Sequence, residues 1–209
     1  MPNLLPEEQA TKRTYDALAK TWALQHDASH FWVTEMQRFH ELLSKGAILE
    51  IGTGGGRDGQ ELLALGYQYV GTDVSSGLLT VARETLPNQE LYEQSVYDLT
   101  FSDKKKFDGF WSAATLLHIP KSRIDEALQR IKTVVKPGGI GFISLKDGEG
   151  EQVRIDEFGG SQFERFFAYW HKDEFVETLN RNGYTNIEYI HHPDGRKGRQ
   201  PWHCFLVQL

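Results

Sequence analysis

Apolar residues recur at three- and four-residue steps over residues 7–24 (Ala10, Tyr15, Leu18, Ala19, Trp22) and again over 31–43 (Phe31, Met36, Phe39, Leu42, Leu43). That period predicts two amphipathic helices at the start of the chain. The pattern then changes to short apolar runs at 47–51 and 67–72, separated by a helical stretch at 58–65 that Gly66 stops. The alternation continues with a helix at 77–85, extended runs at 90–96 and 107–113, and an amphipathic helix at 123–135. Lys136-Pro137-Gly138-Gly139 closes that helix, because proline cannot continue it and glycine permits the reversal. A strand at 140–145, a helix at 172–182 ended by Gly183, and strands at 185–191 and 203–208 complete the series. Strands alternating with helices predict an α/β fold, a mostly parallel sheet covered on both faces.

With 209 residues the chain suits a single domain, 1–209. Residues 1–45 are expected as an N-terminal helical lid and 46–209 as the core. The connection over 147–171 is far longer than the usual link between a strand and a helix. It is expected as a loop insertion at the mouth of a site, and it holds Phe158, Phe163, Phe166, Phe167, Tyr169 and Trp170. No run approaches the roughly 18 apolar residues of a membrane span, and the first residues lack a basic-then-apolar leader, so a cytoplasmic protein with no membrane contact is expected. A lone Cys204, read as a buried strand residue, excludes an intrachain disulfide framework and suits a reducing compartment. The net charge of -6 argues against a dedicated nucleic-acid partner.

Chemistry is concentrated in Glu50-Ile51-Gly52-Thr53-Gly54-Gly55-Gly56-Arg57-Asp58-Gly59, after one strand and before one helix. Glycines let the backbone approach a ligand, and the helix N-terminus offers free N–H groups. Asp73 ends the next strand, where a carboxylate can accept from both hydroxyls of a ribose. Together they read as a site for an adenosine-containing cofactor. Gly54, Gly56 and Gly59 also formally satisfy G-x-G-x-x-G, the dinucleotide fingerprint, so a nicotinamide cofactor is a rival at this point. The G-x-G-x-G phase of Gly52, Gly54 and Gly56, preceded by Glu50, favours S-adenosylmethionine (SAM).

In order along the chain, ILEIGTGGGRDG, YVGTDVS, SVYDL, FDGFWSAATLLHIP and VVKPGG resemble the five motifs of the class I SAM-dependent methyltransferase family. The resemblance covers almost the whole chain. It implies a Rossmann-like, doubly wound, seven-stranded sheet whose last strand runs antiparallel between the fifth and sixth, beneath an N-terminal helical lid. It places Gly52, Thr53, Gly54 and Gly56 along the methionine part of SAM and Asp73 on the ribose, with Glu50 and Arg57 as further cofactor-binding residues; for Glu50 the alternative is satisfying nearby backbone N–H groups. Val74 and Val96 would flank the adenine, Ser95 would bond its edge, Ala113 and His118 would border the reactive side, and Tyr15 and Trp22 would close from the lid. Ser95 stands where many relatives carry an acid. The Asn/Asp-Pro-Pro-aromatic signature of amino-group methylases acting on DNA or protein does not occur.

The expected activity is therefore methyl transfer to a small-molecule acceptor by in-line displacement. A tRNA or protein methyltransferase and a SAM-binding protein without turnover are the alternatives. His118 is the candidate general base or acceptor-orienting group, against plain packing on the cofactor. Arg165, Tyr169 and His26 are the candidate acceptor contacts, with His30 a weaker one. The basic run at 196–199 reads as a solvated turn, or else as an attractor of an anionic acceptor that Asp147, Glu149 and Glu151 partly oppose. His191 and His192 are too close in sequence to share one ion, and no metal site is expected.

Overall fold

Ala47–Ile51 (β1) is buried at four of its five positions, as a strand flanked by neighbours and helices must be. The computed structural model, which describes residues 4–25, 31–102, 106–158, 161–193 and 200–209, with no account of the side chains at 156, 158 and 186, places β1 near the middle of a seven-stranded sheet. The other strands are Gln68–Asp73 (β2), Glu90–Glu93 (β3), Phe107–Ser112 (β4), Val135–Lys146 (β5), Thr185–His192 (β8) and Trp202–Gln208 (β9). Their order is β3-β2-β1-β4-β5-β9-β8, parallel except for β9, which runs antiparallel to both neighbours. The order reverses at β1 and β4, so the ends of these strands open a crevice suited to a ligand.

Helices Pro6–Gln25 (α1), Val33–Leu42 (α2), Arg57–Ala64 (α3), Ser76–Thr85 (α4), Ile124–Val134 (α5) and Lys172–Arg181 (α6) accompany the sheet. The core is aromatic. Trp111 and Phe142, both fully buried on adjacent strands, stack with centroids 3.9 Å apart, and Phe39 meets Trp111 edge-on at 5.4 Å. Each such side chain contributes roughly 1.5–3 kcal/mol by leaving water.

Two expectations are corrected. Residues 147–171 are not a loop: Glu151–Phe158 (β6) and Ser161–Ala168 (β7) pair as an antiparallel hairpin apart from the main sheet. Lys136-Pro137-Gly138-Gly139 is not a turn ahead of the fifth strand but an irregular stretch inside β5, where pairing with β4 jumps from Phe107↔Val135 to Gly109↔Ile140. The chain's last residue holds it, since Gly138 N donates to Leu209 O at 2.7 Å and Leu209 N to Gly139 O at 3.1 Å. No helix among the described residues is long and apolar enough to cross a membrane.

Helix α1 locks two pieces together over the crevice. Thr14 Oγ1 donates to Glu164 O (2.7 Å) and Phe166 N donates to Thr11 Oγ1 (2.8 Å), so threonines of α1 satisfy the free edge of β7. One turn on, Asp16 Oδ1 accepts from Gly77 N (3.0 Å) and from Ser75 Oγ (2.7 Å), seating α1 on the N-terminus of α4.

Candidate active site

The turn from β1 into α3 needs glycine for two reasons. Gly52, Gly54 and Gly56 have φ of 80°, 55° and 91°, a region that costs residues with a Cβ. A Cβ at position 52 would also lie 2.0 Å from Thr115 Oγ1, whereas one at 54 would meet nothing within 4 Å. At Gly54 bare backbone therefore forms the wall of an open space. Gly52 N and Thr53 N both donate to Thr72 O at the end of β2, at 2.8 and 2.9 Å.

Asp73 ends β2 facing this turn. Its Oδ2 accepts from Gly54 N and its Oδ1 from Ser75 N, each at 2.8 Å. Each oxygen keeps lone-pair capacity for a further donor. Burial pushes this carboxyl up to about 6.

Glu50, on β1, is buried and accepts from the hydroxyls of Thr53 (2.7 Å) and Tyr69. Burial first, and the nearby Asp58 carboxylate second, push Glu50 up to about 8. Asp58 itself pairs with Arg57 Nε (2.7 Å) and accepts from Trp111 Nε1 (3.0 Å). Ionising Glu50 beside Asp58 in a site kept from water is unfavourable, and a cation beside Glu50 would favour its charged form.

His118, half-buried on the cavity wall, has both ring nitrogens engaged. Nδ1 meets the Phe166 carbonyl at 2.6 Å, which can only accept, so Nδ1 carries the proton and Nε2 accepts from the Tyr15 hydroxyl at 2.8 Å. Arg165 Nη1 donates to the same hydroxyl at 3.3 Å, and its guanidinium lies 4.5 Å from the Trp22 ring centroid. Burial, reinforced by the Arg165 charge, holds His118 down to about 3.

All these groups line one cavity of about 980 Å³, at the upper end of the roughly 300–1,000 Å³ of small-molecule sites. Tyr15, Trp22, Glu50, Gly52, Thr53, Gly54, Arg57, Asp73, Val74, Ser95, Val96, Ala113, His118, Arg165 and Tyr169 stand on its wall. Gly56 does not; it starts α3 and backs onto Leu86 and Thr85. Ser95 Oγ accepts from Tyr97 N at 3.3 Å, capping the short turn after β3. His26, His30 and the basic run at 196–199 lie outside the described residues.

Sequence reasoning missed Lys146, Arg154 and Trp202 as site residues, although all three line the cavity, as does Phe167 of the aromatic group expected at the mouth. Lys146 Nζ donates to Gln200 O (2.7 Å) and sits 3.7 Å from the Trp202 ring centroid, and Trp202 meets Trp32 edge-on at 5.2 Å. Arg154 is seen only once 147–171 is read as a hairpin. The alternation of Val153 and Ile155, with Gly159-Gly160 between the two runs, was the available signal. The acids expected to oppose the cations are partly turned elsewhere: Asp147 meets His203 Nε2 at 2.9 Å and Glu151 accepts from Lys121 N at 2.6 Å.

Residues 48–139 match the family model described as a methyltransferase domain. The chain is 28% identical over 100 residues to a ubiquinone biosynthesis O-methyltransferase of Coxiella burnetii, across 46% of this chain and 42% of that protein. The protein of the same name from Alkalilimnicola ehrlichii is 33% identical over 96 residues, 44% of this chain and 38% of that one. The chain thus spans well under half the length of these curated relatives. Among solved structures, the Burkholderia thailandensis 1,6-didemethyltoxoflavin-N1-methyltransferase, with bound 1,6-didemethyltoxoflavin and S-adenosylhomocysteine, superposes with a TM-score of 0.77 at 18% identity, over 100% of this chain and 92% of that one. The DhpI–SAH complex superposes at 0.74 with 19% identity, over 96% of each chain. At these identities the likeness establishes the fold.

Proposed function

We propose that this chain, a member of the class I SAM-dependent methyltransferase family by its domain match and its fold, transfers a methyl group from SAM to a small-molecule acceptor. The observation that carries this reading is one cavity whose wall joins two unlike sets of groups. One set is Asp73, the bare Gly52–Gly54 backbone and the Glu50/Asp58 pair; the other is the aromatic rings and cations of the β6–β7 hairpin.

The residues present fit the cofactor. Asp73 keeps acceptor capacity for ribose hydroxyls, Gly54 leaves room at the backbone, and the repelling Glu50/Asp58 carboxyls suit an ammonium group. When bound, SAM supplies a sulfonium methyl open to displacement by a nucleophile in line with the breaking carbon–sulfur bond. The chain's own part is to align the acceptor and exclude water. Helix α1 and the hairpin do the latter, tied to each other through Thr11 and Thr14. His118 acts as a positioning residue: neutral, with Nε2 occupied, it fixes the Tyr15 hydroxyl at the wall. An acceptor that arrives as a thiolate, amine or phenolate then needs no protein base.

Calorimetry with SAM and S-adenosylhomocysteine (SAH) tests the cofactor half of this reading, and micromolar binding is expected. Transfer of label from methyl-labelled SAM into the small-molecule fraction of a metabolite extract tests turnover. Absence of binding to both ligands overturns the proposal. Binding without transfer leaves a SAM-binding protein, and label in tRNA or protein points to the macromolecular alternatives.

A further inference from the structure

Arg154 on β6 and Arg165 on β7 are direct cross-strand partners, and both stand on the cavity wall. Like charges placed opposite each other weaken a two-stranded pairing. Here the pair lies in a hairpin that closes the crevice, and Arg165 is only 6% exposed. The two guanidinium carbons lie 5.5 and 5.2 Å from the centroid of the same ring, Phe167. Lys146, at the end of β5, is a further cation on the cavity wall.

The acids on the wall are distributed differently. Glu50, Asp58 and Asp73 cluster where β1, β2 and α3 meet, and Glu84 belongs to α4. Glu8, on α1, is bound by Arg123 Nη1 at 2.9 Å and by the Tyr97 hydroxyl at 2.6 Å. From β5, β6 and β7 the cavity receives Lys146, Arg154 and Arg165 and, among the described residues, no carboxylate. Arg57, paired with Asp58, and Lys12 and Lys20 of α1 are the other lysines and arginines on the wall.

The wall beneath the hairpin carries flat rings. Phe167 and Tyr169 lie with planes 21° apart and centroids 6.1 Å apart, and both line the cavity. Rings of this kind pack best against another planar ring. Guanidinium forks match a carboxylate in shape as well as charge.

We propose that the methyl acceptor is a planar aromatic compound bearing a carboxylate, which the Arg154/Arg165 cross-strand pair holds against Phe167 beneath the hairpin. The inference rests on the methyl-transfer reading above. A carboxylate spanning the two guanidinium groups ties β6 to β7, so the hairpin closes more firmly on a charged acceptor than on a neutral one.

The test uses the full chain saturated with SAH. It is titrated calorimetrically with 4-hydroxybenzoate, 3,4-dihydroxybenzoate and 2-aminobenzoate, and with the primary amide of each. At least one acid is expected to bind about tenfold or more tightly than its amide, as one charge-assisted contact allows. Arg154→Gln should bring acid and amide to within about threefold of each other, and Arg154→Lys should restore part of the preference. A purely structural arginine would shift acid and amide together. SAH affinity is read on every variant, so a misfolded one is recognised and the comparison then rests on Arg154→Lys. Equal binding of acids and amides, or no binding of any of the six while SAH binds, overturns the proposal. Failure of SAH to bind the wild type overturns the methyl-transfer reading instead.

Discussion

The Tyr15 hydroxyl donates to His118 Nε2 at 2.8 Å across 103 residues of sequence, joining the lid helix to the loop after β4. Because Nδ1 donates to the Phe166 carbonyl, the imidazole is locked in one neutral tautomer. The contact is a strut between lid, sheet and hairpin, and its chemistry limits what His118 can do.

With its value held down to about 3, His118 stays neutral across the physiological range. Its imidazole resonances should show no titration between pH 5 and 8 in a histidine NMR series; a midpoint near 6.5 would reassign it as a proton acceptor. Tyr15→Phe leaves Nε2 without its donor, at a cost of about 1–3 kcal/mol. In a chain of this size each kcal/mol lowers Tm by roughly 2–4 °C, so thermal denaturation should fall by several degrees.

Asp73 gives the cofactor end a pH dependence of known sign. Its carboxyl, raised to about 6, sheds its proton as pH rises through that value, and only the ionised form has full capacity to accept from two ribose hydroxyls. SAH affinity should rise between about pH 5 and 7 and level off above. Asp73→Asn should flatten this profile, and Asp73→Ala should weaken SAH by about 10- to 100-fold, the loss of one or two charge-assisted hydrogen bonds.

Glu50 predicts a proton balance. A group raised to about 8 is mostly protonated at pH 7, and an ammonium placed beside it favours the charged form. Binding of SAH at pH 7 should therefore release up to about one proton, seen as a dependence of the calorimetric enthalpy on the ionisation heat of the buffer. The release should vanish in Glu50→Gln and fade in the wild type above about pH 9. Proton uptake would contradict the assignment of the amino group to this wall.

The lid is anchored at Asp16. Asp16→Ala removes the acceptor for Gly77 N and Ser75 Oγ at the start of α4, a loss comparable to that of a helix cap, about 0.5–2 kcal/mol. Amide exchange in α1 should accelerate relative to the central strands, and SAH should bind more weakly although Asp16 itself is not on the cavity wall.

The parts legible in the sequence are those in which neighbouring residues act together. The loop Glu50 to Gly59 and Asp73 could be read because strand, glycine turn and helix are consecutive, and the first half of the sheet follows from the same alternation. The misreadings arose where strength comes from distant pairing. Residues 151–168 become a hairpin because β6 and β7 satisfy each other's backbone and α1 threonines, some 150 residues away, cover the outer edge. The irregular start of β5 is likewise held by Leu209, at the far end of the chain.

By itself the sequence determined the order of the helices and of the main-sheet strands, the positions where backbone must turn without a side chain, and the acid that ends β2. Local propensity and steric limits on φ decide these within a few residues. Only the tertiary structure decided that Glu50 is pushed up beside Asp58, that His118 is locked neutral by Tyr15 and Phe166, and that Arg154 faces Arg165 over the cavity. Charge state and field depend on burial and on distances between groups far apart in the chain, and those exist only once the chain has folded.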